Sequence, residues 1–346
     1  MNPEQQEASL NAEGESEPFE RAAKRESVLS LPVELPSRQQ VVAFKFGGSS
    51  LLGAQRLLHT AALVQQESTT RPVTVVVSAM KGVTDRLLRV GQLLGDGRKS
   101  QAREEADAVV ELHRVTLEDL RLHPLEHERF KRELRLLADD LLHEVTEGGN
   151  KETDGARLDR LASFGERYAS RLFAAALGKI GVPAVPVASS DFVLTCDNFR
   201  DAKPNVEETR RRGREILLPL LEERLVPVVT GFIGATKDGR ITTLGRNSSD
   251  YSAALIAHVV GAEELVIWTD VDGVYTINPN ESAEAMLLHE LSYDEAHALA
   301  SSGAKVLHPR VLPLAAETKI TVWVRNTFKP QTRGTRIGPQ QNGELA

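Results

Sequence analysis

"VVAFKFGGSS", residues 41–50, sets a short apolar run in front of a lone lysine, Lys45, and follows it at once with Gly47, Gly48, Ser49 and Ser50. A run of this kind bounded by small residues predicts a strand, and glycines at its end let the backbone approach a ligand closely. A lysine there supplies a compact positive charge. Both suit a phosphate. The same ten residues also suit a plain Gly-Gly turn beside a solvated lysine, so the choice falls to the rest of the chain.

Outward from this stretch the pattern is strand, loop, helix, repeatedly. "AQRLLHTAALVQQ" has helical periodicity, "PVTVVVSAM" is a Val-rich run of the kind buried in parallel sheets, and "DRLLRVGQLL" is helical again. Residues 99–146 break the rhythm with two amphipathic helical runs separated by Pro124, read as a helical insertion whose charges form a solvated face with opposite-charge pairs one turn apart. "RLDRLASFGERYASRLFAAALGKIG" is a helix closed by Gly181, "VPAVPVAS" resumes the sheet, and "NVEETRRRGREILLPLLEERL" is a further helix. "VPVVTGFIGA" runs into a second glycine loop; then come a hairpin-like turn, a helix from Ser249 or Asp250, the strand "ELVIW", a helical "SYDEAHALASSGA" and a final strand, "ITVWVRNT". Alternation of this kind predicts an α/β fold with a mainly parallel sheet covered on both faces, whose ligands sit beyond the carboxyl ends of the strands.

Bulk properties narrow the function. The 346 residues suffice for a large buried core, and 41% hydrophobic with 26% charged residues is ordinary for a globular protein. A net charge of −7 argues against nucleic acid as a partner, though a pocket can be locally positive in an acidic protein. The single cysteine, Cys196, fits a reducing interior; no run is apolar enough to span a bilayer and no secretory signal opens the chain, so a cytoplasmic site is expected. Residues 1–40, rich in Glu, Gln, Ser and Pro, are expected to form a disordered arm.

The strand ends carry the candidate chemistry. They present Gly47 and Gly48, Ser78 and Thr84, Gly231 and Gly234, and Thr269, Asp270, Asp272 and Gly273, loops that together can line one crevice. There is no Walker phosphate loop, no dinucleotide fingerprint, no protein-kinase signature, and no zinc or calcium spacing. "GRNSSDYSAA", 245–254, is the densest stretch: Arg246 offers a planar fork for a carboxylate, and Ser248 or Ser249 can cap a helix whose amides favour an anion. Arg246 as a surface residue and Asp250 as an ordinary first-turn acid are the plainer readings.

Seven segments in order, "KFGGSS", "VVSAMKGVTDRLL", "FGERYAS", "TLGRNSSDYSAA", "WTDVDGVYTINP", "GAKVLHPR" and "RNTFKPQTRGTRI", resemble the motifs of aspartate kinases within the amino-acid kinase superfamily. The "GRN" form is similar to the kinase half of bifunctional aspartate kinase–homoserine dehydrogenases. The resemblance implies a three-layer α/β/α sandwich over 41–337, with an amino-acid lobe at about 41–240, a lobe for ATP with Mg²⁺ at about 241–337, and a tail at 338–346. It implies phosphorylation of the side-chain carboxylate of L-aspartate, the opening step of aspartate-family amino-acid biosynthesis, by a homodimer.

By motif position, Lys45 with the amides of Gly47, Gly48 and Ser49 meets the phosphates. Ser78, Thr84, Glu166 and Arg246 hold aspartate, Glu166 taking the ammonium and Arg246 the α-carboxylate. Asp250 orders the lysine and arginine, while Thr269, Asp270, Tyr275 and Lys305 bind the nucleotide. The acceptor, with a carboxylate pKa of roughly 3.9, is already ionised at neutral pH and needs no general base. The obstacle is one anion attacking another, which positive groups relieve.

Three departures from the family stand out. Ser248 replaces a common glycine, where a left-handed backbone would cost about 1 kcal/mol or more. Asn278 replaces an aspartate, and an aromatic is lost within "LASSGAK". ACT regulatory domains, usual in the family, are expected to be missing, either in a dedicated kinase insensitive to lysine and threonine or in a fragment. A different acceptor on the same fold, and a non-catalytic paralogue that binds aspartate or nucleotide, are the rival readings.

Overall fold

The computed structural model describes residues 40–146, 154–277, 282, 284–301 and 307–339. Apart from Gln40, the expected arm lies outside the described residues, as do Asn278, Lys305 and the tail beyond residue 339.

The first strand, β1 (Val42–Phe46), is buried along its whole length, as are β2 (Val73–Val77) and β4 (Val226–Thr230). Such continuous apolar strands need cover on both faces, which is what parallel strands receive from crossover helices. The first crossover is α1 (Ala54–Ser68); α2 (Val83–Gly95) follows β2. The predicted insertion is an antiparallel pair, α3 (Lys99–Leu120) and α4 (Pro124–Thr146), with Pro124 at the first helical position, where its missing N–H costs nothing. Then come α5 (Asp154–Lys179), closed by Gly181 at φ 82°, β3 (Ala184–Val187) and α6 (Val206–Glu222), capped by Asn205 on Glu208 N.

After β4, the short strands β5 (Ile233–Ala235) and β6 (Ile241–Thr243) form the expected hairpin, so the lobe boundary read at 240 falls in its turn. The helix α7 (Ser249–Val260) leads into β7 (Glu264–Thr269), followed by a two-stranded pair, β8 (Val274–Tyr275) and β9 (Leu287–Leu288). The remainder is β10 (Glu290–Ser292), α8 (Tyr293–Ser301), α9 (Val311–Thr318), β11 (Thr321–Asn326) and β12 (Thr335–Gly338). The strand read as final, β11, is not the last: the chain turns back and β12 pairs with it antiparallel, Val322 opposite Ile337.

One eight-stranded sheet, ordered β10-β12-β11-β7-β1-β2-β4-β3, runs through the molecule and is parallel except at β11–β12. Helices α1 and α5, backed by α2, α3 and α4, cover one face; α6, α7, α8 and α9 lie on the other. This is the three-layer α/β/α sandwich. The insertion is more than a solvated face. Its charges pair one turn apart, as in Arg103–Asp107 at 2.9 Å, but its apolar side buries Val109, Leu117, Leu120, Phe130, Leu134 and Leu141 in the main core. Exposed pairs add about 0.2–0.5 kcal/mol each against about 1.5–3 kcal/mol for a buried Leu, so packing decides where these helices sit.

The strand order reverses at β1, whose neighbours are β2 and β7, so the crevice of the sheet opens beyond the carboxyl end of β1. At the far edge, β3 carries Pro186 within the strand.

Candidate active site

Beyond the carboxyl ends of β1, β2 and β4 lies a cavity of about 490 Å³ whose lining includes Lys45, Gly47, Gly48, Ser78, Thr84, Glu166, Arg246 and Asp250. Two helices, α2 and α7, begin at it, so their N-terminal dipoles favour an anion there.

Lys45 is the fourth residue of β1 and is 8% exposed; its Nζ lies 2.7 Å from Asp250 Oδ1, in the first turn of α7. The glycines after it are required by packing. A Cβ on Gly48 would sit 2.5 Å from the Ala79 carbonyl oxygen and 2.9 Å from Lys81 N, both backbone atoms. Lys81 N donates to Gly48 O at 3.1 Å and Ser78 N to Phe46 O at 3.1 Å, tying the two strand ends together. Gly48→Ala is therefore expected to lower stability by about 1–3 kcal/mol, as overpacking does, and to displace both loops. Thermal melts and activity measured on the same preparation check this.

Glu166 comes from α5, where Gly165 permits close approach: a Cβ there would be 2.6 Å from Ala79 Cβ. Glu166 is 3% exposed; Oε1 accepts from Ala79 N at 3.0 Å, and Oε2 has no hydrogen-bond partner among the described residues. Burial pushes its carboxyl up to about 8, against the opposing pull of the Ala79 amide and the Lys45 charge. A buried acceptor without a donor, opening on a cavity, is a place for a cation.

The 245–250 turn differs from expectation in two respects. The left-handed residue is Asn247 at φ 60°, while Ser248 has φ −79°, so the strain anticipated for Ser248 is absent. Asparagine tolerates that conformation better than most residues. Ser248 occupies the N-cap position, but its hydroxyl makes no capping bond. Asp250 pairs with Lys45 and not with Arg246, which is exposed and has no ion-pair partner among the described residues.

Of the residues expected at the nucleotide, Lys45, Gly47 and Gly48 line this cavity, and Ser49, Thr269, Asp270 and Tyr275 do not. Thr269 ends β7, with Thr269 O accepting from Thr327 N at 2.8 Å; Asp270 is exposed next to it, and Tyr275 lies in β8. Ser49 sits in a 3₁₀ turn, Gly48–Leu51, where its carbonyl accepts from Arg56 Nη1 at 2.6 Å. Lys305 is outside the described residues.

The lining also includes Lys81, Arg200 and Phe232. Arg200 (φ 73°) and Phe232 (φ 65°) are left-handed non-glycine residues. Arg200 N donates to Asp159 Oδ2 at 2.8 Å, and the same fully buried carboxylate accepts from Thr243 N and Thr243 Oγ1. Phe232 N donates to Ser252 Oγ at 2.7 Å. Only Lys81 carried a signal in sequence, as a cation inside a glycine-flanked strand end.

The sequence model of the amino acid kinase family matches residues 40–326. The chain belongs to that family. Among its curated relatives this amino acid kinase is 34% identical over 301 residues to lysine-sensitive aspartokinase 3 of Escherichia coli K12, covering 86% of this chain and 64% of the relative. It is 34% identical over 321 residues to chloroplastic aspartokinase 1 of Arabidopsis thaliana, covering 92% and 55%. Its fold superimposes with a TM-score of 0.79 on E. coli aspartokinase III in complex with aspartate and ADP, at 32% identity over 88% of this chain and 66% of that chain. It thus spans between half and two thirds of the length of these relatives. No described helix is long and apolar enough to cross a membrane.

Proposed function

We propose that this chain phosphorylates the side-chain carboxylate of L-aspartate with ATP, giving 4-phospho-L-aspartate and ADP, the opening step of aspartate-family amino-acid biosynthesis. The observation that carries the reading is one cavity holding an unpartnered buried carboxylate oxygen, Glu166 Oε2, together with Lys45 and Arg246. An α-amino acid has one ammonium for Glu166 and one α-carboxylate for Arg246, which leaves Lys45 for the phosphoryl group. The aspartokinase relatives, one of them solved with aspartate and ADP, support the choice of substrates.

Glu166 Oε2 would take the ammonium, Arg246 the α-carboxylate in a bidentate pair, and Ser78 and Thr84 the side-chain carboxylate. One oxygen of that carboxylate attacks the γ-phosphorus while the bond to the β–γ bridging oxygen breaks and ADP leaves. The acceptor is ionised already, so no proton moves at it. Lys45 and the amides after β1 would offset the charge gathering on the phosphoryl oxygens, and Asp250 holds the lysine in place. Thr269, Asp270, Tyr275 and Lys305 are assigned to the nucleotide.

Among the described residues no group of three His, Cys, Asp or Glu side chains could hold a metal. Mg²⁺ would be held largely through the substrate phosphates and water. The reading takes a homodimer in the cytoplasm as the working form, and sedimentation of the purified chain tests the oligomeric state.

Hydroxamate trapping with ATP, Mg²⁺ and a panel of acidic amino acids tests the reaction. Aspartate is expected to give the hydroxamate and glutamate is not. Product from another acceptor, or from none, overturns the proposal.

A further inference from the structure

The turn that carries Arg246 is held from outside by a residue the reaction does not use. Arg310 stands at the N-cap of α9. Its guanidinium donates through Nη2 to Asp201 Oδ1 at 2.8 Å and through Nη1 to Leu244 O at 3.3 Å. The same fork lies 6.0 Å from the ring centre of Tyr251, in the first turn of α7. On that ring His308 also stacks, at 6.1 Å, and His308 Nδ1 accepts from Arg310 N at 3.2 Å.

One side chain therefore bonds to the residue before Gly245 and to an acid on a separate turn, and stands over the ring of the residue after Asp250. Gly245 adopts φ +100°, and a Cβ on it would come within 2.9 Å of Asp201 Oδ1, so the glycine is what lets that carboxylate close over the turn. Asp201 is fixed in its own right: Ala202 N donates to Thr243 O at 2.9 Å, and Arg200 N is held by Asp159.

We propose that Arg310 is a positioning residue for the acceptor site, clamping both ends of the 245–250 turn against Asp201 and so fixing Arg246 over the cavity. Planarity matters to this role. A guanidinium reaches a carbonyl and a carboxylate at once in a fixed fork, whereas a lysine ammonium on a flexible stem does not hold the two in one geometry. The Arg310 and Asp201 side chains are 34% and 55% exposed, and pairs so exposed contribute little to global stability. The effect of losing the clamp is therefore local.

The test uses the full chain with R310A, R310K and D201N. In R310A, hydrogen exchange at amides of 245–250 is expected to quicken about tenfold or more, with the melting temperature nearly unchanged, because local opening is separable from global unfolding. R310K and D201N give smaller increases, and the double variant R310A/D201N is no faster than R310A. In kinetics, R310A raises the aspartate KM about tenfold while the ATP KM stays within about twofold, the signature of a misplaced acceptor.

Unaltered exchange in the turn overturns the clamp. Faster exchange with an unaltered aspartate KM overturns its link to the acceptor site, and so does a rise of both KM values together with a fall in melting temperature. The kinetic arm rests on the proposed aspartate kinase reading. A wild-type chain that phosphorylates no acidic amino acid defeats that reading, and the exchange measurement still decides the clamp.

Discussion

Lys45→Met is expected to lower kcat for acyl-phosphate formation by about 100- to 1,000-fold, the loss that follows removal of one preorganised donor to a charge-bearing transition state. Methionine keeps the length and the apolar stem, so β1 stays packed and the change isolates the charge. Because the ammonium acts on charge that develops during transfer, kcat and kcat/KM for aspartate should fall together. The substitution also leaves Asp250 in a largely buried place without its partner at 2.7 Å. Removing one member of a fully buried ion pair costs about 3–5 kcal/mol, and the 10% and 18% exposure of these two side chains puts the cost below that. The double variant K45M/D250N relieves the orphaned carboxylate. It should recover stability in thermal melts without recovering rate. A K45M chain with undiminished hydroxamate formation would falsify the electrostatic role given to this lysine.

The second large effect belongs to Glu166 and is a pH dependence. Its carboxyl, near 4.5 in the unfolded chain, is raised to about 8 by burial in the fold. Below the unfolded value both states hold the proton and the fold has its full stability from this group. Between the two values the fold keeps a proton that the unfolded chain has released, so stability falls as pH rises through that window and levels off above about 8. An ammonium set beside Oε2 favours the carboxylate and reverses the preference. Aspartate binding in the same window should therefore expel one proton, and affinity should strengthen by up to about tenfold per pH unit before flattening near the folded value.

Calorimetry in buffers of different ionisation enthalpy reads the released proton directly. Glu166→Gln should abolish both the proton release and the pH dependence of affinity. It should also raise the aspartate KM about 100-fold, since a cation then faces a neutral amide with its own donors. If E166Q leaves the KM and its pH profile intact, the ammonium sits elsewhere.

How far the sequence could anticipate these features depended on whether a residue's environment is written in its neighbours. The strands β1, β2 and β4 announce themselves because a strand covered on both faces must be apolar at every position. The insertion was recognisable from its two helical periods and Pro124, but its depth in the core was hidden by its charges. The strands β8 and β9 have two residues each, too short for any period, and β12 reads "TRIG", with its ladder set by β11 from outside. The helix α9 begins "VLP", which looks like a breaker until the proline is seen within its first turn.

At the site, Lys45, Arg246 and Asp250 stood out in the strand-end loops, only the resemblance added Glu166, and all four line the cavity. Composition did not reveal the left-handed Arg200, Asn247 and Phe232, because long-range partners such as Asp159 and Ser252 fix those backbones. The strain assigned to Ser248 fell on its neighbour for a local reason: a one-residue shift in a turn moves the positive φ, and spacing alone does not resolve it.

The proline in β3 bears on how the sheet ends. Pro183 O accepts from Val226 N, so by strand alternation Val185 and Val187 turn their amides toward β4 while Ala184 and Pro186 turn outward. The outward row is thus short by one donor at its middle, and a second strand laid there would find an interrupted template. That gap makes this border of the sheet a poorer template for edge-to-edge pairing between copies.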